Sequence, residues 1–309
     1  MRIALTGGAG FIGSHVAEAY LRAGHEVLIV DNLSTGQRAN VPEGAELVRM
    51  DVTDPGLVEL FTERRIEVVN HHAAQVSVSV SVADPLRDAR DNVLGSLNVY
   101  EAARRSGVRR IILASSGGTV YGEVTDGPAT EESPVQPFSP YGAAKVAAEQ
   151  YLLAYSRLYG IEAVVLRYTN VYGPRQNPVA EAGVVAIFAS CLLRGQQPTV
   201  YGDGEQTRDY VYVEDVAEAN VLALQPHARG IYNCCTGRET SVNALLRMLQ
   251  ELLGSVQPPR FAPLRPGEIR RSVCSYARIA RELGWFPRTP LPEGLQRTVK
   301  AFRSLQCCS

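Results

Sequence analysis

The chain has 309 residues, long for one hydrophobic core and comfortable for two lobes. Apolar content of 45% and charged content of 20% are ordinary for a soluble globular enzyme. A net charge of −1 gives no electrostatic case for nucleic acid or an anionic membrane surface, and no apolar stretch approaches the ~20 residues that span a bilayer.

In chain order, the apolar run Arg2–Leu5 predicts a strand, so close to Met1 that no signal peptide is expected ahead of it. It leads into Thr6-Gly-Gly-Ala-Gly-Phe-Ile-Gly13, with glycines at 7, 10 and 13, and a helical pattern over Phe11–Ala23 stopped by Gly24. Such a turn lets the backbone approach a pyrophosphate, and the first N–H groups of the helix point at the anion. A second strand, Val27–Val30, ends in Asp31, where an acid would accept a hydrogen bond from an adenosine ribose 2′-hydroxyl. A carboxylate there repels a 2′-phosphate, and Asn32 follows it rather than Arg, so the expected cofactor is NAD and not NADP.

Further strands are predicted at Glu46–Met50, Val68–Asn70, Ile111–Ala114 and Ala163–Leu166, with helices at Pro55–Arg64, Asn92–Ser106 and Tyr141–Tyr159. Repeated strand–helix units with strands buried on both faces imply a parallel sheet covered on each side. Asp51 and Val52 follow the third strand, within reach of an adenine edge, and the small residues Ala73 and Ala74, with Gln75, follow the fourth. Ser115-Ser116-Gly117-Gly118 follows the fifth, at the active edge of such a sheet. Tyr141 and Lys145 stand four apart, on one helix face. A phenol with a pKa near ~10 is a poor base at neutral pH, and a neighbouring ammonium moves it toward working range.

After Leu166 the pattern changes. Residues 170–178 read as loop, followed by a helix at Val184–Leu193, a Gly/Asp-rich loop at 202–209, a helix at Asp215–Ala223, a strand at Ile231–Cys234, a helix at Val242–Leu253, a proline-rich link at 258–267 and two more helical patterns. The expected fold is α/β, a doubly wound parallel sheet with a smaller C-terminal α/β substrate lobe. Residues 1–169 form the cofactor domain, with 212–235 returning to it, and 170–211 and 236–309 form the lobe. The six cysteines (Cys191, Cys234, Cys235, Cys274, Cys307, Cys308) include no C-x-x-C pair and read as reduced thiols of a cytoplasmic protein. The five histidines lack metal-ligand spacing, so no metal is expected, and His71-His72 reads as packing or loop chemistry.

Thr6–Gly13, Asp31-Asn32, Asp51, Ala73-Ala74-Gln75, Ser115-Ser116 with Val120-Tyr121-Gly122, Tyr141-x-x-x-Lys145, Arg167-Tyr-x-Asn-Val-Tyr-Gly-Pro174 and Arg208-Asp-Tyr-Val-Tyr-Val213 together resemble the extended short-chain dehydrogenase/reductase family. Arg265-Pro-Gly-Glu268 carries the likeness into the last fifth, and within the family it is strongest to the nucleotide-sugar 4-epimerases of the UDP-glucose (UDP-galactose) type. The resemblance implies a Rossmann sheet holding NAD at Gly7, Gly10, Phe11, Ile12, Gly13, Asp31, Asn32, Asp51, Val52, Ala73, Ala74, Gln75, Asn92, Ser115, Tyr141, Lys145 and Tyr168. It implies that Tyr141, helped by Ser116, takes the proton of the sugar C4 hydroxyl while NAD takes the C4 hydride. Lys145 holds the nicotinamide ribose. The 4-ketose then turns its other face, and hydride and proton return with C4 inverted. Ser116, Gly117, Tyr141, Asn170, Val184, Tyr201, Arg208, Arg265, Glu268 and Ser272 would hold the UDP-sugar, the arginines suited to phosphate by their fork of donors.

One departure from the family bears on the hydroxyl. Counting back from Val120-Tyr121-Gly122 puts Gly117 at the catalytic Ser/Thr position; counting forward from the strand puts Ser116 there. The forward count is preferred, since the turn can absorb an extra glycine. Family dehydratases carry an Asp-Glu pair where this chain has Gly117-Gly118, which disfavours elimination. A UDP-glucuronate 4-epimerase uses the same machinery and stays open, with Arg270 and Arg271 as candidates to meet a carboxylate. A non-catalytic NAD-binding regulator commonly loses the Tyr or Lys that this chain keeps. By the same resemblance a homodimer is expected through helices 92–106 and 141–159, and the small Ser272 implies room for an N-acetyl group on the sugar.

Overall fold

The computed structural model describes residues 1–178, 183–265 and 267–306; Pro266 of the proline-rich link, Cys307 and Cys308 lie outside them. The apolar runs become a seven-stranded sheet among the described residues. Its strands are β1 (Arg2–Thr6), β2 (Glu26–Asp31), β3 (Glu46–Arg49), β4 (Val68–His71), β5 (Arg110–Ser116), β6 (Glu162–Tyr168) and the late strand Gly230–Cys234. The order is β3-β2-β1-β4-β5-β6 followed by Gly230–Cys234, and every neighbouring pair is parallel. Strand order therefore reverses between β1 and β4. The crevice beyond their carboxyl ends is where open α/β sheets bind ligands.

Successive side chains of a strand point to opposite faces, which is why these strands carry apolar residues without alternation. Ile3, Leu5, Ile29, Ile112 and Leu166 face α1 (Phe11–Arg22) and the helix Val213–Leu222, packing with Val16, Tyr20 and Val216. Ala4, Val30, Val69, Ile111 and Val165 face the other side, against Leu57 and Phe61 of α2 (Leu57–Glu63), Tyr100 of the helix Gly95–Arg105 and Leu152 of the helix Pro140–Tyr159. Each such Val, Leu, Ile or Phe side chain, fully buried, contributes about 1.5–3 kcal/mol. A third core, with Phe188, Tyr212, Leu245, Leu249 and Phe302, belongs to the smaller lobe built on the helices Val184–Leu193, Val242–Leu253 and Leu291–Gln306.

Three local expectations need correction. The helix predicted from Asn92 opens instead with a π turn, Arg90–Leu94, and becomes α-helical at Gly95–Arg105. Two unforeseen helices, Val78–Ala83 and Pro85–Ala89, follow β4. Their starts are set by caps: the Ser77 hydroxyl accepts from the Val80 amide at 3.3 Å and the Asp84 carboxylate from the Arg87 amide at 3.0 Å, with Pro85 in the first turn. The segment read as loop from Asn170 begins with a strand, Asn170–Tyr172, paired with Tyr210–Tyr212. No helix among the described residues is long and apolar enough to cross a membrane.

Candidate active site

One end of the crevice is the glycine turn. Gly7 adopts φ +69, and a Cβ on it would stand 2.6 Å from the Ala73 amide nitrogen; one on Gly13 would stand 2.2 Å from the Gly7 carbonyl oxygen. The glycines let β1, β4 and α1 converge. The helix α1 starts at Gly10 with no side-chain cap, so its first N–H groups are left for an anion. Asp31 is buried at the end of β2, accepting from the Ala9 amide at 3.0 Å and the Leu33 amide at 2.8 Å. Asn32 donates to Asp51 at 2.7 Å, which fixes the next rim of the pocket.

From here a continuous cavity of about 1070 Å³ runs between the sheet and the smaller lobe. It is lined by all the expected cofactor residues except Asn92, and by all the expected sugar-nucleotide residues except Gly117 and Ser272. Those three lie behind its wall for identifiable reasons. The Asn92 side chain accepts from the Gln75 amide at 2.8 Å and donates to the Gln75 carbonyl at 2.9 Å, so it holds Gln75 in place rather than facing the cavity. A Cβ on Gly117 would meet Cys274 Sγ at 3.3 Å, pointing into the core. A side chain at position 117 would point away from the cavity, which favours the forward count. Ser272 is buried directly behind Gly118: a Cβ built on Gly118 would lie 3.9 Å from Ser272 Oγ, 3.9 Å from Ser116 Oγ and 3.6 Å from Asn170 Oδ1.

At the cavity's centre β5 and the helix Pro140–Tyr159 meet. The helix starts on Ser139, whose hydroxyl accepts from the Gly142 amide at 3.2 Å, with Pro140 in its first turn. Tyr141 thus stands in the first turn and Lys145 one turn on. Ser116 and Tyr141 both line the cavity here. Ser115, by contrast, donates to Glu149 at 2.5 Å inside the core. Lys145 donates to the Ala114 carbonyl at 3.0 Å, its ammonium 5.8 Å from the centre of the Tyr141 ring. Burial pushes the Tyr141 phenol above its ordinary value, the Asp88 charge adds to this, and the Ser116 hydroxyl works the other way. Burial brings Lys145 down to about 8 against the pull of Asp88 and Glu149. Burial, with the Lys145 charge, also holds His71 and His72 neutral, each at about 3.

Glu149 extends the Tyr141–Lys145 stripe by one more turn. It is fully buried and pairs through both oxygens with Arg167, at 2.9 and 2.6 Å. Sequence reading passed over it, although an acid four residues past Lys145 continues the same spacing.

At the far end, the Arg265 guanidinium lies 3.6 Å over the Tyr201 ring. Arg208 is partly buried, and burial lowers its pKa. Neither arginine forms an ion pair among the described residues; Arg208 donates to the Thr207 carbonyl at 2.8 Å, and both residues line the cavity. Arg270 and Arg271 are instead paired to Asp203 and Glu239, each at 2.6 Å.

Nine buried side-chain polar atoms lack a hydrogen-bond partner among the described residues. Six of them, on His72, Thr119, Thr169, Asn170, Gln176 and Tyr210, belong to residues that line this cavity. Unpaired buried polar groups are costly and rare, so their concentration here fits a ligand rich in polar atoms. The glycine turn, the uncapped helix and Asp31 fit a dinucleotide at one end. The two arginines fit a diphosphate at the other. No cluster of His, Cys, Asp or Glu among the described residues has the makings of a metal site.

The model of the NAD-dependent epimerase/dehydratase family matches residues 3–235. The UDP-glucose 4-epimerase of Mycolicibacterium smegmatis is 44% identical, over 98% of this chain and 99% of its own. Among solved structures, Thermotoga maritima UDP-glucose 4-epimerase with UDP-glucose is 45% identical with a TM-score of 0.97, covering 99% of this chain and 100% of that one. The Thermus thermophilus UDP-glucose 4-epimerase complex with NAD is 48% identical with a TM-score of 0.95, covering 98% and 99%. The glycine turn with its uncapped helix, the Tyr141–Lys145 pair and this full-length likeness together place the chain in the NAD-dependent epimerase/dehydratase family.

Proposed function

We propose that the chain is a UDP-hexose 4-epimerase, interconverting UDP-glucose and UDP-galactose through a transient 4-keto sugar. The observation that carries this reading is the Ser116–Tyr141–Lys145 group at the middle of a cavity with Asp31 at one end and Arg208 and Arg265 at the other. Bound NAD supplies a hydride acceptor and donor. The chain's own residues do the rest. Tyr141 accepts the proton of the C4 hydroxyl and later returns it, and Ser116 orients that hydroxyl toward the phenol. Lys145 stabilises the phenolate by its charge. Asn170, Arg208 and Arg265 anchor the diphosphate, which leaves the sugar free to turn.

The test is purified protein with UDP-galactose and a UDP-glucose-specific readout. Formation of UDP-glucose without added cofactor turnover supports the reading; absence of C4 inversion of UDP-glucose and UDP-galactose overturns it, and turnover of UDP-glucuronate alone favours the uronate reading. The uronate reading is the weaker one, because Arg270 and Arg271 are already paired with carboxylates.

Cofactor choice follows from Asp31. Asp31→Ala weakens NAD binding and narrows the preference for NAD over NADP, as measured by titration; an unchanged ratio would count against the role of Asp31. Sugar breadth follows from Ser272. Ser272 is buried behind Gly118, in contact range of the wall that carries Ser116 and Asn170, so a larger residue there would push that wall toward the sugar. The wild type turns over UDP-N-acetylglucosamine as well as UDP-glucose. Ser272→Tyr selectively loses the N-acetyl activity, and equal activity ratios in wild type and variant would refute the assignment.

The protein is a cytoplasmic homodimer in this reading. The helix Pro140–Tyr159 leaves Tyr151, Leu158 and Tyr159 exposed at 44%, 71% and 51%, an apolar outer face beyond what the sheet covers. Light scattering at micromolar concentration should give twice the chain mass, and a monomer would refute it.

A further inference from the structure

The helix Pro85–Ala89 carries Asp88 into the protein against the helix Pro140–Tyr159. Asp88 is 1% exposed. Its Oδ1 accepts from Gln75 Nε2 at 2.7 Å and Asn92 Nδ2 at 2.9 Å. Its Oδ2 is enclosed and accepts nothing among the described residues. An ionised carboxylate so placed is costly without a cation. Asp88 forms no ion pair within 4.0 Å among the described residues; burial raises its pKa, and the helix it packs against carries Lys145, the cation whose charge works the other way.

The groups around Lys145 can be taken element by element. Glu149, on the same helix, is committed: both its oxygens are held by Arg167 and one also by Ser115, so its charge is already matched. His71 and His72, at the end of β4, are neutral. The Tyr141 ring lies to one side. From the helix Pro85–Ala89 comes Asp88, while Asp91 beyond it is paired with Arg87 at 3.6 Å. Among the described residues, Asp88 is therefore the carboxylate acting on Lys145 that no arginine pairs.

We propose that Asp88 is a positioning residue for proton transfer: the buried counter-charge that keeps Lys145 an ammonium beside Tyr141. The proposal rests on the reading of Tyr141 and Lys145 as the proton-transfer pair, but its central claim concerns the charge of Lys145 and can be measured without turnover. Lys145 is the buried member of a set of two, since the sequence contains only Lys145 and Lys300. Asp88 acts on the pair in two ways. It supports the ammonium and it opposes a phenolate at Tyr141. Removing its charge thus moves both titrations toward acid.

Lysine labelled at 13Cε gives two NMR signals, assigned by Lys300→Arg, and each can be titrated in the intact protein. In the wild type the Lys145 signal should titrate at about 8. In Asp88→Asn its midpoint should fall by about one unit or more, and in Asp88→Glu, which keeps the charge but not the hydrogen-bond geometry, it should stay near the wild-type value. Asp88→Ser provides a second neutral variant should Asp88→Asn not fold. A Lys145 midpoint unchanged in a folded neutral variant, or displaced equally by Asp88→Glu, overturns the proposal, because a merely structural role would be kept better by Asn than by Glu. The pH profile of kcat/KM, measured with UDP-galactose, should shift to acid on both limbs in the neutral variants and return with Asp88→Glu. If the NMR midpoint moves while the profile does not, the counter-charge stands and the role given to Lys145 in turnover falls.

Discussion

Tyr141→Phe is expected to abolish nearly all C4 inversion, by about 10²–10⁴-fold or more, while NAD binding and thermal stability stay close to wild type. The substitution removes one oxygen. The ring stays beside Lys145, and the Lys145 bond to the Ala114 carbonyl does not involve the phenol. What is lost is the acceptor for the C4 proton, and no other group in the cavity replaces it. His72 is near but neutral at about 3, too weak a base for an alcohol at working pH, and Asp88 is sealed behind the wall. Ser116→Ala should cost a smaller factor, since Ser116 orients the proton without accepting it. Ser115→Ala should act differently, through stability, because the Ser115 hydroxyl is spent on Glu149. Activity of Tyr141→Phe near the wild-type level, or a greater loss of turnover in Ser115→Ala than in Ser116→Ala at matched folded fraction, would overturn this assignment.

The two serines show where a sequence stops being legible. Their position at the end of β5 is readable, because an apolar strand must bury both faces and so announces its own end. Which hydroxyl faces the ligand depends on how an extra glycine is absorbed in the turn, and that is decided by packing around Gly117, Cys274 and Arg167 in three dimensions. The glycine turn and Asp31 were legible for the opposite reason. Close backbone approach permits only glycine there, so residue type and geometry are locked together.

Asp88 and Glu149 were not legible, and both for one reason. A charged residue within a helical stretch reads as solvated surface, since burial needs a partner that sequence spacing does not reveal. The partner of Glu149 is Arg167, on β6, and the helix packed against that of Asp88 carries Lys145 more than 50 residues away in the chain. The helix Val78–Ala83 was missed because Val78-Ser-Val-Ser-Val82 alternates with the period of a strand, and only its caps decide otherwise.

Arg167→Met should be the most damaging single change to stability among the residues around the site, at about 3–5 kcal/mol, with a fall in Tm of roughly 10 °C. Arg167 is 1% exposed and Glu149 0%. The guanidinium donates twice to Glu149 and once, at 2.8 Å, to the Tyr121 hydroxyl, and lies 4.9 Å from the centre of the Tyr121 ring. A methionine fills much of the volume and supplies none of these donors. Glu149 is then left in the core with the Ser115 hydroxyl as its remaining donor, an unmatched charge with no route to water. The size of the loss therefore reflects the stranded carboxylate more than the worth of the pair. Arg167→Met combined with Glu149→Leu removes the stranded charge and should recover most of the stability, so the two substitutions are strongly non-additive in denaturant titrations. Turnover of the double variant at low temperature should remain measurable, because Tyr141, Ser116 and Lys145 are untouched. A loss below about 1 kcal/mol for Arg167→Met, typical of solvent-exposed pairs, would mean that water reaches Glu149 and that the helix carrying Tyr141 and Lys145 is not tied to β5 and β6 through a dry ion pair.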